Sequence, residues 1–353
     1  MLWDIWDRFR VLILIVAGVV VVVAAFFLIK GCFGGEGDES DLVDRLPADT
    51  VTASYVDLEA LREQLGLPED ADPSEVDITD QSDESQDLLQ LQGAVAIVLQ
   101  NLSVPGSEDP INAALDGGQI TAAARGNGTG TAEEPPVTLT VIKTDQSFDD
   151  IAAGLEDEGF EEKDSVLESE EAPTYNVVAD AGDGVVVLGD ERDAVETAVA
   201  DEGEAPAVAD LLDEVEGAQR TATVFEDSEC VTSIVTGADA DPLEGEMVLN
   251  VDGEADEDNF DDAATVGFGI ELEDPEFDGD TVRVAFTAGE EAQAPGVLGG
   301  LLASVGPLNL YRCEGDAAPA IPGAPVPEAE AEGEPPATTP PEDEAPKPES
   351  ESE

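Results

Sequence analysis

Histidine is absent from this 353-residue chain, and cations of any kind are scarce: 13 Lys and Arg stand against 84 Asp and Glu, for a net charge of −71. Without an imidazole there is no Ser-His-Asp or Cys-His nucleophile, no H-E-x-x-H zinc site and no two-His-one-carboxylate iron site. Lysine occurs only at Lys30, Lys143, Lys163 and Lys347. No cationic cluster exists to displace the counterions of DNA or RNA, so nucleic acid is excluded as a partner. The phosphate-loop pattern G-x-x-x-x-G-K-[ST] is also missing, since Lys143-Thr144 follows Ile142 inside an apolar run. Cysteine is limited to three residues and aromatics to 5% of the chain.

What is present is 42% hydrophobic residues, mostly Ala, Val and Leu, enough to bury a core. Like charges on such a compact body repel one another, and salt screens them; the Debye length falls to about 3 Å at 1 M ionic strength. The acidic, lysine-poor balance resembles that of proteins from salt-loving prokaryotes.

From Val11 to Ile29 the chain carries nineteen residues with no charge and no strong polar group. As a helix they extend about 28 Å, close to the hydrocarbon thickness of a bilayer. The stretch is longer than the apolar region of a cleavable signal and ends in "FFLIK", a poor peptidase site. Trp3 and Trp6 suit the headgroup level, and Arg8 and Arg10 precede the stretch while "GGEGDESD" follows it. The positive-inside rule then places residues 1–10 in the cytoplasm and the body outside, as a single-pass plasma-membrane protein whose lipid contact runs through residues 11–29. Simple secretion, and lipid attachment at Cys32 after Ile29-Lys30-Gly31, stay open as alternatives. In an oxidising compartment the remaining two cysteines, Cys230 and Cys313, invite a disulfide, with two separate buried thiols as the other outcome.

The expected fold class is α+β. An acidic linker (30–46) leads to a strand–helix segment (47–108), in which "TVTASYVDL" alternates as a strand and "EALREQL" follows as a helix stopped by Gly66 and Pro68. Residues 68–87 read as an acidic loop, and 88–102 as a core helix with Leu88, Leu91, Val95, Leu99 and Leu102 on one face. Two similar α-β-β-α-β-β subdomains come next, 109–204 and 205–313, each an antiparallel sheet with helices on one face. The local signature is Phe148-Asp149-Asp150 against Phe260-Asp261-Asp262, with Ser147 and Asn259 as helix N-caps. Cys230 falls in an insertion of the second copy. Residues 314–353 close the chain as a disordered acidic tail, with ten prolines after Glu314.

Candidate chemistry is thin. "GNGTGT" (126–131) reads as a hairpin turn rather than a phosphate loop. The oxygen-rich stretches 239–246 and 252–262 miss the EF-hand spacing, so only weak, diffuse cation binding is expected, with no tight metal site and no cofactor. Asn101-Leu-Ser and Asn127-Gly-Thr match the glycosylation triplet. Carboxylate pairs of the glycosidase kind are too numerous to single one out.

At "LPADTVTASYVDLEAL" (46–61) and in the two α+β copies behind it, the chain resembles a family of uncharacterised, membrane-anchored extracytoplasmic proteins of bacteria and archaea. The resemblance covers roughly residues 44–310 and implies architecture only, since no activity or functional residue comes with it. The reading that follows is a non-enzymatic scaffold or binding module of the cell envelope, adapted to high salt, with an envelope protein or polysaccharide as its partner. The rivals are a carboxylate-based envelope hydrolase and a substrate-binding lipoprotein.

Overall fold

The computed structural model describes residues 38–76, 82–99, 109–129, 136–170, 172–201, 203–225, 228, 230–240, 244–260, 270–288 and 310–311. The apolar stretch 11–29, Cys32, Cys313 and the tail lie outside them. Among the described residues no helix is long and apolar enough to cross a membrane.

The described helices are α1 (Asp38–Val43), α2 (Leu58–Gln64), α3 (Asp83–Val98), α4 (Pro110–Ala114), α5 (Phe148–Asp157), α6 (Arg192–Ala200) and α7 (Ala207–Leu212). The strands of the first part are β1 (Thr50–Asp57), β2 (Ile120–Gly128), β3 (Thr138–Thr144), β4 (Glu161–Lys163), β5 (Val166–Glu168), β6 (Val177–Gly182) and β7 (Val185–Gly189). Those of the second are β8 (Gln219–Val224), β9 (Val231–Ala238), β10 (Glu244–Val251), β11 (Ile270–Leu272), β12 (Glu276–Asp278) and β13 (Thr281–Ala288). All thirteen join one antiparallel sheet in the order β11-β13-β10-β9-β8-β1-β2-β3-β7-β6-β5-β4, with β12 also on β13. The fold is therefore α+β, but the strands of the two sequence copies share one sheet, where two were expected. β1, from the 47–108 segment, stands between them, pairing with β2 on one side and, at the β1–β8 seam, with β8 on the other. On each side of the seam three strands run outward, and a later hairpin lays its last strand, β7 or β13, beside the third, β3 or β10.

Local chemistry explains the elements. Asp57, Ser82, Asp109 and Ser147 accept backbone N–H groups at the starts of α2, α3, α4 and α5. Helix α2 stops where Gly66, at φ +66°, lets the Leu67 N–H reach back to the Arg62 carbonyl. Between β6 and β7, Asp183 and Gly184 both take positive φ, the two-residue type I′ turn that a D-G pair favours. Three-residue strands finish both sheet margins: β4 is Glu-Glu-Lys, all three exposed, and β12 is Glu-Phe-Asp.

Helices cover both faces of the sheet, not one as expected. In β7, Val186 and Leu188 enter one core with residues of α2, α3, α4 and α5, while Val185 and Val187 enter another with residues of α1, α6 and α7. Strand side chains alternate between faces, so an unbroken buried run such as Val185–Leu188 requires apolar cover above and below. Two smaller clusters lie at the β9–β13 end: Ile234, Leu249, Val282 and Tyr311 in one, Met247, Val284, Phe286 and Leu310 in the other. The supposed insertion around Cys230 leads into β9 (Val231–Ala238), which pairs with β8 over Ser233–Ala238 and with β10 from Val231 to Ala238. Two elements of the expected loop 68–87 are ordered: Asp72 caps a short 3-10 turn at Pro73–Glu75, and α3 begins at Asp83, not at residue 88.

One buried cation ties the α2 side together. The Arg62 side chain donates to the carbonyls of Ala71 (3.1 Å), Ile120 (2.8 Å) and Gly117 (2.9 Å). Burial pulls its guanidinium below its ordinary pKa, against Asp72, Glu59, Asp70 and Asp116, which pull it up. Replacing Arg62 with Ala leaves three inward carbonyls without this donor. Urea unfolding at fixed salt is expected to show a loss of about 3–5 kcal/mol, and a loss below about 1 kcal/mol would mean that water replaces the guanidinium.

Candidate functional site

Two places on the body concentrate polar chemistry. The first is a cleft of about 290 Å³ between the α1–β1 turn and α6, lined by Asp44, Arg45, Pro47, Asp193, Thr197 and Asp201 among others. The "LP-x-D-T" segment builds one wall: Leu46 is buried, and the Thr50 N–H returns to the Pro47 carbonyl to turn the chain into β1. Arg45 crosses the cleft to donate to the Ala198 carbonyl at 2.9 Å, near the C-terminus of α6, where a cation is favoured. Its other nitrogen lies 4.0 Å from Asp201, which holds a left-handed conformation at the end of α6. Burial raises the Asp44 carboxyl above its ordinary pKa, and the charges of Asp41, Asp213, Asp201 and Asp210 add to the effect.

The second is a polar band across the centre of the sheet. Thr236, Thr221, Ser54, Arg125 and Thr140, on β9, β8, β1, β2 and β3, are paired in succession and share a face. All five are buried. The next row holds Thr223, Thr52, Asn127 and Thr138, all half-buried. Hydroxyls satisfy one another across strands: Ser54 with Thr221 at 3.1 Å, Thr52 with Thr223 at 3.4 Å, and Thr138 donating to Asn127 Oδ1 at 3.2 Å. Thr140 donates to the Val98 carbonyl at 3.4 Å, which makes the Tyr175 hydroxyl, 2.9 Å from Thr140 Oγ1, the donor of their shared bond. Burial raises the Tyr175 pKa, so the phenol keeps that proton. One row inward, Gln219 is 2% exposed, and its Oε1 finds no hydrogen-bond partner among the described residues. Such an orphan costs about 1–3 kcal/mol.

The residues singled out in the sequence are placed as follows. Cys230 is buried and disulfide-bonded. Ser147 caps α5 by accepting from the Asp150 N–H at 3.2 Å, and Phe148 packs against the adjoining core. The expected mate Asn259 is not an N-cap: it ends a 3-10 turn capped by Asp256, and Asp261 and Asp262 lie outside the described residues. Phe260 bridges to Tyr311 and meets Phe277 edge-on at 6.3 Å. In the first oxygen-rich stretch, Asp239 accepts from Gln64 (2.6 Å) and the Ala218 N–H (3.1 Å), a structural use. Among the described residues no group of three Asp, Glu, Cys or His is placed to hold a metal ion. "GNGTGT" is not wholly a turn, since Gly126–Gly128 continue β2; a Cβ on Gly126 would lie 3.0 Å from the Thr50 side chain. Asn127 is a paired strand residue; Asn101 lies outside the described residues.

Sequence reasoning missed both the cleft and the band. The band had a signal: Thr52-Ala53-Ser54 and Thr221-Ala222-Thr223 repeat one hydroxyl–alanine–hydroxyl pattern, and these two tripeptides pair directly.

The crowding at Asp44 has a signed consequence. Its folded pKa lies above the unfolded value of 3.8, so the folded state binds the proton more tightly. The associated stability is fully present below pH 3.8 and is lost as pH rises through the folded value. Asp44→Asn should therefore raise the melting temperature at neutral pH, raise it less in molar salt, and give no gain in acid. A gain that persists unchanged in acid would show that the carboxylate charge is not the cause.

No family model and no curated protein matches this sequence. Among solved structures, crystal form III of TP0453 aligns with a TM-score of 0.43 at 6% identity, covering 73% of this chain and 97% of that one. Crystal form I of TP0453 aligns with a TM-score of 0.41 at 9% identity, covering 76% of this chain and 100% of that one.

Proposed function

We propose that the protein is a non-enzymatic binding or scaffold module of the cell envelope, anchored through residues 11–29 with its acidic body outside the plasma membrane. The disulfide at Cys230 carries this reading, because structural disulfides persist in oxidising compartments and are rare in the cytosol. The apolar length of residues 11–29 and the flanking arginines supply the anchor and its direction. The two similar parts expected from the sequence, 109–204 and 205–313, are in this reading two halves of one sheet joined through β1. Cys313 is the proposed partner of Cys230: Tyr311 packs in the same cluster as Cys230, and two residues of chain reach about 7 Å. Closing that loop contributes about 4–5 kcal/mol in the chain-entropy model.

The topology is tested with protease on intact cells. The body is expected to be digested while an epitope on residues 1–10 survives, and protection of the body until lysis would reverse the orientation. In the same preparation, non-reducing peptide mapping should recover Cys230 linked to Cys313; recovery of both as free thiols removes the argument for an oxidising compartment. High-salt adaptation gives a separate expectation, motivated by the net −71. The melting temperature should climb as NaCl rises from low to molar concentration, and a flat profile would contradict it.

A further inference from the structure

We propose that the cleft between the α1–β1 turn and α6 binds a linear aliphatic polyamine, which gives the binding-module reading a ligand class and rests on it. The first observation is the cavity itself. It holds about 290 Å³, and both of its walls reach solvent: Asp193, Thr197 and Asp201 are exposed, and Asp44 and Arg45 are half-buried. Between these polar groups the lining is apolar, from Leu46 and Pro47 on one side and Ala194 and Ala198 on the other. A length of aliphatic chain gains from such walls, and a bare ion does not.

The second observation is negative charge that the chain leaves unbalanced. Asp44 lines one wall and Asp193 and Asp201 the other, while Asp41, Asp210 and Asp213 stand near enough to act on Asp44. Arg45 is the one cation in the lining. It donates to the Ala198 carbonyl and reaches Asp201 only at 4.0 Å, so the Asp201 side chain stays 67% exposed. Arg192, at the start of α6, turns instead to Glu196, Glu168 and Asp164. Burial and the neighbouring aspartates raise the Asp44 carboxyl, as expected where positive charge is short.

The third is where the carboxylates stand. Asp201 follows the last turn of α6, which carries no basic residue, at the helix end where an anion is disfavoured and a cation favoured. Helix stability does not explain that placement. Spacing then selects the ligand. Asp193 and Asp201 lie about 12 Å apart along the helix, with Thr197 between them on the same side. Among the described residues no three carboxylates gather closely enough to hold a metal ion. Ammonium groups separated by methylene chains match such a row, and a compact divalent ion does not. Arg45, an aliphatic stem ending in a cation, already crosses the cleft in this manner.

The test uses the full chain in zwitterionic lipid nanodiscs, at the lowest NaCl concentration that keeps it folded. It is titrated calorimetrically with spermidine, Mg²⁺ and 1,8-octanediol, against empty nanodiscs. One spermidine per chain is expected to bind, about tenfold more tightly than Mg²⁺ or the diol. Thr197→Phe fills the cleft without changing its charge and should abolish this one-site binding. Asp193→Asn should weaken it about threefold, and Glu161→Gln on β4 should leave it unchanged. Asp44→Asn should weaken it about tenfold while melting at a higher temperature, a split that a merely structural carboxylate would not give. Three results overturn the proposal: Mg²⁺ or the diol binding as tightly as spermidine, spermidine binding that Thr197→Phe leaves unchanged, or diffuse attraction with no one-site component. Should Thr197→Phe fold poorly, Asp193→Asn and Asp44→Asn, compared with Glu161→Gln, decide the same question, and equal binding by all three overturns it. None of these results bears on which side of the membrane the body lies, which the protease experiment reads separately.

Discussion

The seam between β1 and β8 is the pairing on which the rest of the sheet depends. It joins two three-strand runs, and its register sets Ala53 opposite Ala222 and Ser54 opposite Thr221. The small alanines let both faces of the seam be built independently. Toward the α1–α6–α7 side, Tyr55 is buried with the Arg220 guanidinium 5.4 Å from its ring centre, a cation–π contact that keeps a scarce positive charge at the joint. Toward the other side, the flanking hydroxyls pair across the strands. A slip of one residue would exchange these faces, placing the tyrosine among hydroxyls and the hydroxyls in an apolar core. Register, core continuity and the polar band are thus consequences of one short ladder.

The acidic composition acts at two levels. Individually, carboxylates do local work: Asp57, Asp72, Asp109, Asp116 and Asp256 each accept a backbone N–H at the start of a helical turn. Collectively they crowd, as around Asp44, where four neighbouring aspartates act on one carboxyl. The rare cations are placed where geometry demands a donor. Arg62 serves three carbonyls from the interior, and Arg45 closes the end of α6. Lys143 reaches the Asp183 carbonyl at 2.7 Å, at the β6–β7 turn.

Much of this architecture was legible because its signals are local. The alternation of residues 50–57, the Gly66 stop and the Ser147 cap each depend on a few adjacent residues, and each stands where its chemistry puts it. What escaped depends on neighbours distant in sequence. The stretch that became β9, "VTSIVTGA", carries small and hydroxylated residues between masking turns, and only its partners β8 and β10 make it a strand. The two-sided helical cover could have been read from the unbroken Val185–Leu188 run, which a one-sided sheet does not need. The cleft joins residues 44–48 to 193–203, a proximity no local pattern announces. The Phe-Asp-Asp pattern did not bring the same cap at its second copy: Asn259 ends a 3-10 turn that Asp256 caps, and Phe260 after it is extended.

The three-residue margins of the sheet matter more as ionic strength rises. A sheet of thirteen strands offers backbone donors and acceptors at its rims to any passing chain, and carboxylates such as Glu161 and Glu162 on β4 ordinarily fend such chains off. Dissolved ions that screen the charges of so acidic a body also mute that repulsion. Brevity is then the safeguard that ionic strength does not erase: a rim three residues long gives a stray strand too few bonds to hold.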